Sequence, residues 1–146
     1  MITIKANENE YKIEYGFAAA ENKDIVQKMF NIASGVYFTK AQSASNEMSM
    51  YLIGTSELVG DIAGICKSAF YVGFLENNPV SPEESNSIMK IYMKENNLNF
   101  LTLYQQIRQC MEDDGFFELS GINAMLSEIS ASVKKSTAKK KVVSMK

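Results

Sequence analysis

The chain has 146 residues, 46% of them hydrophobic, with 15 basic and 17 acidic side chains and a formal charge of −2. That length suits a single domain burying roughly two thirds of its unfolded surface, and no apolar run approaches the roughly 20 residues that cross a bilayer. Histidine and tryptophan are absent and Arg108 is the only arginine, which excludes an imidazole base, a Ser-His or Cys-His pair and an imidazole metal ligand.

Met1-Ile-Thr-Ile-Lys5 has no cationic start and no long apolar core, so it is not read as a signal peptide, and cytoplasmic residence is expected. Ile2, Ile4 and Ala6 alternate with Thr3 and Lys5. After Asn7-Glu8-Asn9, Tyr11, Ile13, Tyr15 and Phe17 alternate with Lys12 and Glu14. Period-two alternation around a polar turn predicts a β-hairpin over residues 1–17 with one apolar face. Such a hairpin is barely stable alone and must lie on the helices that follow.

Asn22 or Asp24 can cap a helix carrying Ile25, Met29, Ile32 and Val36, and Ser34-Gly35 closes or kinks it. Lys40 to Asn46 reads as a loop or a poorly packed helix. A more apolar helix is expected from about Ser56, striped by Leu58, Ile62, Ile65, Ala69 and Val72, with Phe70 and Phe74 beside them. Apolar groups on nearly every side make it central, and Gly60, Gly64 and Gly73 are expected to permit close packing. Ser81-Pro82-Glu83-Glu84 opens the next helix as a capping box with proline at its first position. Asn96-Asn97 stops that helix, and Asn99 can cap another carrying Phe100, Leu103, Tyr104, Ile107 and Met111. Gly115 then supplies a left-handed end. A last amphipathic stretch holds Ile122, Met125, Leu126, Ile129 and Val133.

Lys134, Lys135, Lys139, Lys140, Lys141 and Lys146 fall in the last thirteen residues, which hold no acid, whereas the preceding 133 carry a formal −8. With no aromatic and few apolar groups, residues 134–146 are expected to form a flexible, disordered arm reaching up to about 45 Å. The fold expected is mainly α: an N-terminal β-hairpin on a compact bundle of four to five helices, one domain over 1–133, and a basic C-terminal tail.

No P-loop, GxGxxG turn or CxxC pair occurs. The protein is therefore not expected to be an enzyme or to hold a cofactor or metal, although carboxylate-only chemistry stays formally open. Cys66 and Cys110 are expected as free buried thiols, with a disulfide as the alternative. Glu112-Asp113-Asp114 lacks the loop spacing of a calcium site and reads as a solvated helix end. Acids at that end oppose the helix dipole and point to a positively charged partner. Phe116 and Phe117 are the preferred exposed apolar contact, because Gly115 interrupts the stripe before them. The nine methionines fit either core filling or a surface for varied apolar partners. Lys134, Lys135, Lys139, Lys140 and Lys141 are partner-contact candidates. They fit nucleic acid, an acidic protein, or a merely solubilising tail. Self-association stays open.

The order of these elements resembles the tail assembly chaperones of long-tailed (siphovirus-type) phages of Gram-positive bacteria. The resemblance rests on the hairpin ending Tyr11-Lys-Ile-Glu-Tyr15-Gly-Phe17, the apolar helix Ala63 to Leu75 and a break containing Pro79. Ser81-Pro-Glu-Glu84 and Asn99-Phe100-Leu101 leading to Asp114-Gly-Phe-Phe117 complete it. It covers roughly residues 1–118. It implies a non-enzymatic scaffold of the host cytoplasm, absent from the mature virion. Such a scaffold binds and solubilises the tape measure protein and helps recruit tail tube subunits. The family also commonly makes a longer frameshifted product, and a run such as Lys139-Lys140-Lys141 is where the slippery codons could lie. The alternative is a small cytoplasmic regulator binding nucleic acid through its lysine-rich tail. Neither a membrane nor nucleic acid is an expected partner under the chaperone reading.

Overall fold

The computed structural model describes residues 1–39 and 46–144. Strand β1 (Ile2–Ala6) pairs antiparallel with β2 (Asn9–Ile13), with Ile2 opposite Ile13 and Ala6 opposite Asn9. The two-residue loop Asn7-Glu8 has φ of 50° and 67°. Two successive left-handed residues are what a tight hairpin turn requires to match the strand twist. Ile4, Ala6, Ile13 and Tyr15 are buried while Thr3, Lys5 and Lys12 face solvent, as the alternation predicts. Phe17 departs from it. The chain turns into a short helix, α1 (Phe17–Ala20), and leaves that ring exposed.

Helix α2 (Lys23–Ala33) is capped by Asn22, whose side chain accepts from Ile25 N at 3.0 Å. Gly35, at φ 75°, ends it, and Val36 begins a single turn, α3 (Val36–Thr39). Of the stretch Lys40 to Asn46, expected as a loop or poorly packed helix, residues 40–45 lie outside the described residues and Asn46 precedes the next helix. Helix α4 (Glu47–Phe74) then runs for 28 residues, beginning nine positions before the expected start at Ser56. Asn46 caps it, accepting from Ser49 N at 2.8 Å, and Glu47 favours the positive end of the dipole.

Helices α5 (Pro82–Glu95) and α6 (Phe100–Asp113) flank α4. Ser81 caps α5 as expected, accepting from Glu84 N at 3.1 Å. The return half of that capping box is replaced: the Glu84 carboxylate accepts instead from Tyr11 OH at 3.5 Å. Asn97, at φ 52°, ends α5, and Asn99 with Thr102 forms a full capping box on α6. Gly115, at φ 77°, separates α6 from one turn, α7 (Phe116–Leu119), and Gly121, at φ 87°, precedes α8 (Ile122–Ser144).

The lysine segment departs from expectation. The backbone of Lys134, Lys135, Lys139, Lys140 and Lys141 continues α8 instead of leaving it as an arm at 134. Ala138 and the lysines are strong helix formers, no glycine or proline follows Gly121, and cations favour a helix C-terminus. Lys146 lies outside the described residues. The result is mainly α: the hairpin, five helices of eleven residues or more and three single turns among the described residues.

The core sits between the C-terminal half of α4, the hairpin, α5 and α6, and includes Tyr15, Phe70, Phe74, Ile88, Leu103, Ile107 and Met111. Each large apolar side chain buried there contributes about 1.5–3 kcal/mol before entropy is subtracted. Of the glycines expected to permit close packing, only Gly73 does so. A Cβ there would lie 2.5 Å from Ile13 and 3.2 Å from Tyr15, whereas at Gly60 and Gly64 it would meet nothing within 4 Å. Gly73→Ala should therefore cost about 1–3 kcal/mol of stability through forced displacement of β2. Gly60→Ala should raise stability by about 0.5–1 kcal/mol, because an exposed helical glycine is the looser residue in the unfolded chain. Denaturant midpoints of the two variants, moving in opposite directions, test this.

Candidate partner interface

Because the hairpin crosses α4 at Gly73, it covers only the second half of that helix. Glu14 N donates to Gly73 O at 3.0 Å, and Tyr15 OH donates to Ala69 O at 2.9 Å. Asn78 closes the free edge of β2, accepting from Lys12 N at 2.8 Å and donating to Lys12 O at 3.4 Å. An edge so paired cannot recruit another strand there. Glu76 accepts from Ala18 N at 2.9 Å and so caps α1 from across the fold.

The first half of α4 has no such cover. Between Glu47 and Gly60 only Gly54 is buried. Met48 (67% exposed), Leu52 and Val59 (63% exposed) follow at i, i+4 and i+11, one outward row of the helix. Tyr51 and Ile53 are exposed beside them. Helix α3 forms the rim of this face. Phe38 stacks on Tyr51 with ring centroids 6.0 Å apart, and the missing side chain of Gly54 admits the Phe38 ring. Tyr37 OH donates to Asp61 Oδ2 at 3.0 Å. Burial first, then that hydrogen bond and the negative charge of Asp61, push the Tyr37 hydroxyl up to about 12, so the clasp keeps its proton at neutral pH.

A second uncovered face lies on α8. Ile122 is buried and Leu126 half-buried, but Met125, Ile129 and Val133 are exposed. The stripe is amphipathic as expected, yet beyond its first turns it is not part of the core.

Phe116 and Phe117 require a correction. Phe116 is fully buried, its ring 6.3 Å from Tyr15 and 5.3 Å from Phe117 in edge-to-face contacts, and Phe117 is half-buried. The left-handed Gly115 reverses the chain and turns Phe116 inward onto the hairpin. The exposed apolar surface expected of this pair lies instead on α3, α4 and α8. Of the lysine candidates, Lys134 is exposed on α8.

The acids at the end of α6 are mostly occupied. Asp114 Oδ2 accepts from Tyr15 N at 3.0 Å and from Cys110 Sγ at 3.4 Å, and Oδ1 accepts from the Met1 ammonium at 2.8 Å. Asp113 accepts from Gln109 at 2.9 Å, and Glu112 lies 3.8 Å from Arg108. The placement that opposes the helix dipole is thus offset by the hairpin's own donors. Nothing in the sequence around Asp114 signals a partner ninety-nine residues away. Asp113, Asp114, Glu112, Glu118 and Arg108 line a cleft of about 600 Å3 that reaches Asn123 of α8. Among the described residues no group of acids and cysteines is placed to hold a metal ion, and no helix is long and apolar enough to cross a membrane. Cys66 and Cys110 are free and buried, and burial pushes their thiols up to about 12 and about 11.

No protein-family model matches this chain, and neither a curated protein nor a solved structure does.

Burial alone would raise the Asp114 carboxyl, but the donors from the N-terminus, Tyr15 and Cys110 outweigh it and hold the group below its usual value. A depressed folded-state value contributes stability that is present above the unfolded value, near 4, and lost as pH falls through the folded one. Asp114→Asn should therefore destabilise the protein at neutral pH and flatten the acid limb of its stability curve. Denaturation midpoints measured from neutral to strongly acidic pH check both; an unchanged acid limb would contradict the clamp.

Proposed function

We propose that this protein is a non-enzymatic chaperone of phage tail assembly. It covers apolar helical segments of the tape measure protein in the host cytoplasm and helps bring tail tube subunits to them. The observation that carries the reading is the uncovered apolar row of Met48, Leu52 and Val59 with its rim of Phe38 and Tyr51. An exposed apolar row at helical spacing suits an incoming helix laid against it. Exposed apolar area of this kind marks a contact surface in a folded protein. Methionine adds tolerance, since its flexible thioether fits apolar helices of varied sequence.

The partner we propose is the one implied by the resemblance in the order of elements set out above, and the absence of histidine from the sequence is compatible with a role in binding alone. In this reading the lysine-rich end of α8 is not needed to grip the tape measure protein. A regulator gripping nucleic acid through those lysines has less support, because the rest of the chain is acidic and supplies one arginine for bidentate phosphate contacts.

Co-expression with the tape measure protein should keep the latter in the soluble fraction. Leu52→Ser with Val59→Ser should abolish that protection while changing the chaperone's own stability by no more than about 0.5 kcal/mol per site, as is usual for exposed positions. Retention of full protection by the double variant would remove this face as the contact.

A further inference from the structure

The exposed stripe of α8 points the opposite way in chemistry from the face on α4, because it ends in a block of like charge. Over the first twelve residues of the helix the only charged group is Glu128, whereas Lys134, Lys135, Lys139, Lys140 and Lys141 occupy the remainder. The first turn, at Asn123, opens onto the cleft lined by Glu112, Asp113, Asp114, Glu118 and Arg108; four acids against Arg108 and the Met1 ammonium leave it a formal −2. One end of α8 is therefore set in negative surroundings and the other carries five cations. The helix is 23 residues long, about 34 Å at 1.5 Å per residue.

We propose that α8 pairs with α8 of a second copy of this chain, antiparallel and centred near Ile129. In that register Met125 lies beside Val133 of the other copy, and Ile129 lies against its own counterpart. Each lysine-bearing end reaches the acidic cleft at the start of the opposite helix. A groove of about 480 Å3 between α2 and the start of α8, lined by Val26, Phe30, Ile122 and Met125, receives Val133 of the incoming helix. A parallel pair would instead set five lysines against five lysines. The stripe alone offers less than the roughly 800 Å2 per partner of a standard interface. Attraction between the opposite ends therefore supplies part of the association, and added salt weakens it. The α4 face is left free for another protein, so this pairing is independent of the proposed chaperone role and is tested without any tape measure protein.

Sedimentation equilibrium of the full chain at low salt should give a dimer, with Ile129→Glu and Val133→Glu together weakening it at least ~10-fold. Replacing Lys139, Lys140 and Lys141 with Glu should loosen the dimer at low salt and leave little salt dependence. For the geometry, Met125→Cys and Val133→Cys chains should form a disulfide-linked pair when mixed and oxidised, far more than either forms alone. Both positions are exposed and tolerate the change, and the buried Cys66 and Cys110 do not compete. A monomer at every concentration overturns the proposal, as do links of 125 to 125 and 133 to 133, which report parallel pairing. Charge reversal without effect overturns the electrostatic part of the account.

Discussion

Where β2 crosses α4, residue 73 has no room for a side chain unless its neighbours move. With the Ile13 side chain 2.5 Å from the position of a Cβ there, any larger residue would force Ile13, and with it the hairpin, to shift. The close approach brings Glu14 N to Gly73 O, Tyr15 OH to Ala69 O and Lys12 to Asn78. It also sets Tyr15 N against Asp114 and the Tyr15 ring against Phe116. One contact thus joins the two ends of the body: the hairpin that opens the chain and the α6–α7 turn more than a hundred positions later. Since Tyr15 is fully buried, its hydroxyl depends on the Ala69 carbonyl to offset the cost of leaving water.

The same constraint decides what stays uncovered. A hairpin seated at Gly73 spans the second half of α4 and leaves Glu47–Gly60 outside its reach, with α3 packed on it through Phe38. Apolar groups on that half are not needed for the core, yet the sequence retains Met48, Leu52, Ile53 and Val59 there. Helix α8 likewise emerges from the body after Ile122 with Ile129 and Val133 facing solvent. Two uncovered apolar helical faces on a body with a closed strand edge favour helix-on-helix association over strand addition. The proposed chaperone role of one face and the proposed self-association of the other use them without conflict.

Signals confined to a few residues were legible in the sequence. Asn22, Ser81 and Asn99 cap the helices they precede, Gly115 ends α6, and the hairpin faces follow from alternation, because a cap or a pleat is fixed by immediate neighbours. The start of α4 was hidden, since Met48, Leu52 and Val59 follow helical spacing but do not face the core against which periodicity is judged. Asn46-Glu47 was the available cue. The inward turn of Phe116 and the clamp at Asp114 depend on Tyr15, far away in sequence, and no local pattern reports such a partner. Gly60 and Gly64 carried a packing signature, but which glycine meets a neighbour is decided by where the hairpin lands. The helical course of the lysine segment follows from propensity, which outweighed the expected lack of buried surface.

The central claim is that a core locked at Gly73 presents the first half of α4 for a partner. Hydrogen exchange, measured on the protein alone and with the tape measure protein bound, tests it most directly. Amides of residues 62–74 should be strongly protected in both states, and those of residues 48–60 should exchange faster alone and gain protection on binding. Protection gained only elsewhere, with residues 48–60 unchanged, would contradict the account.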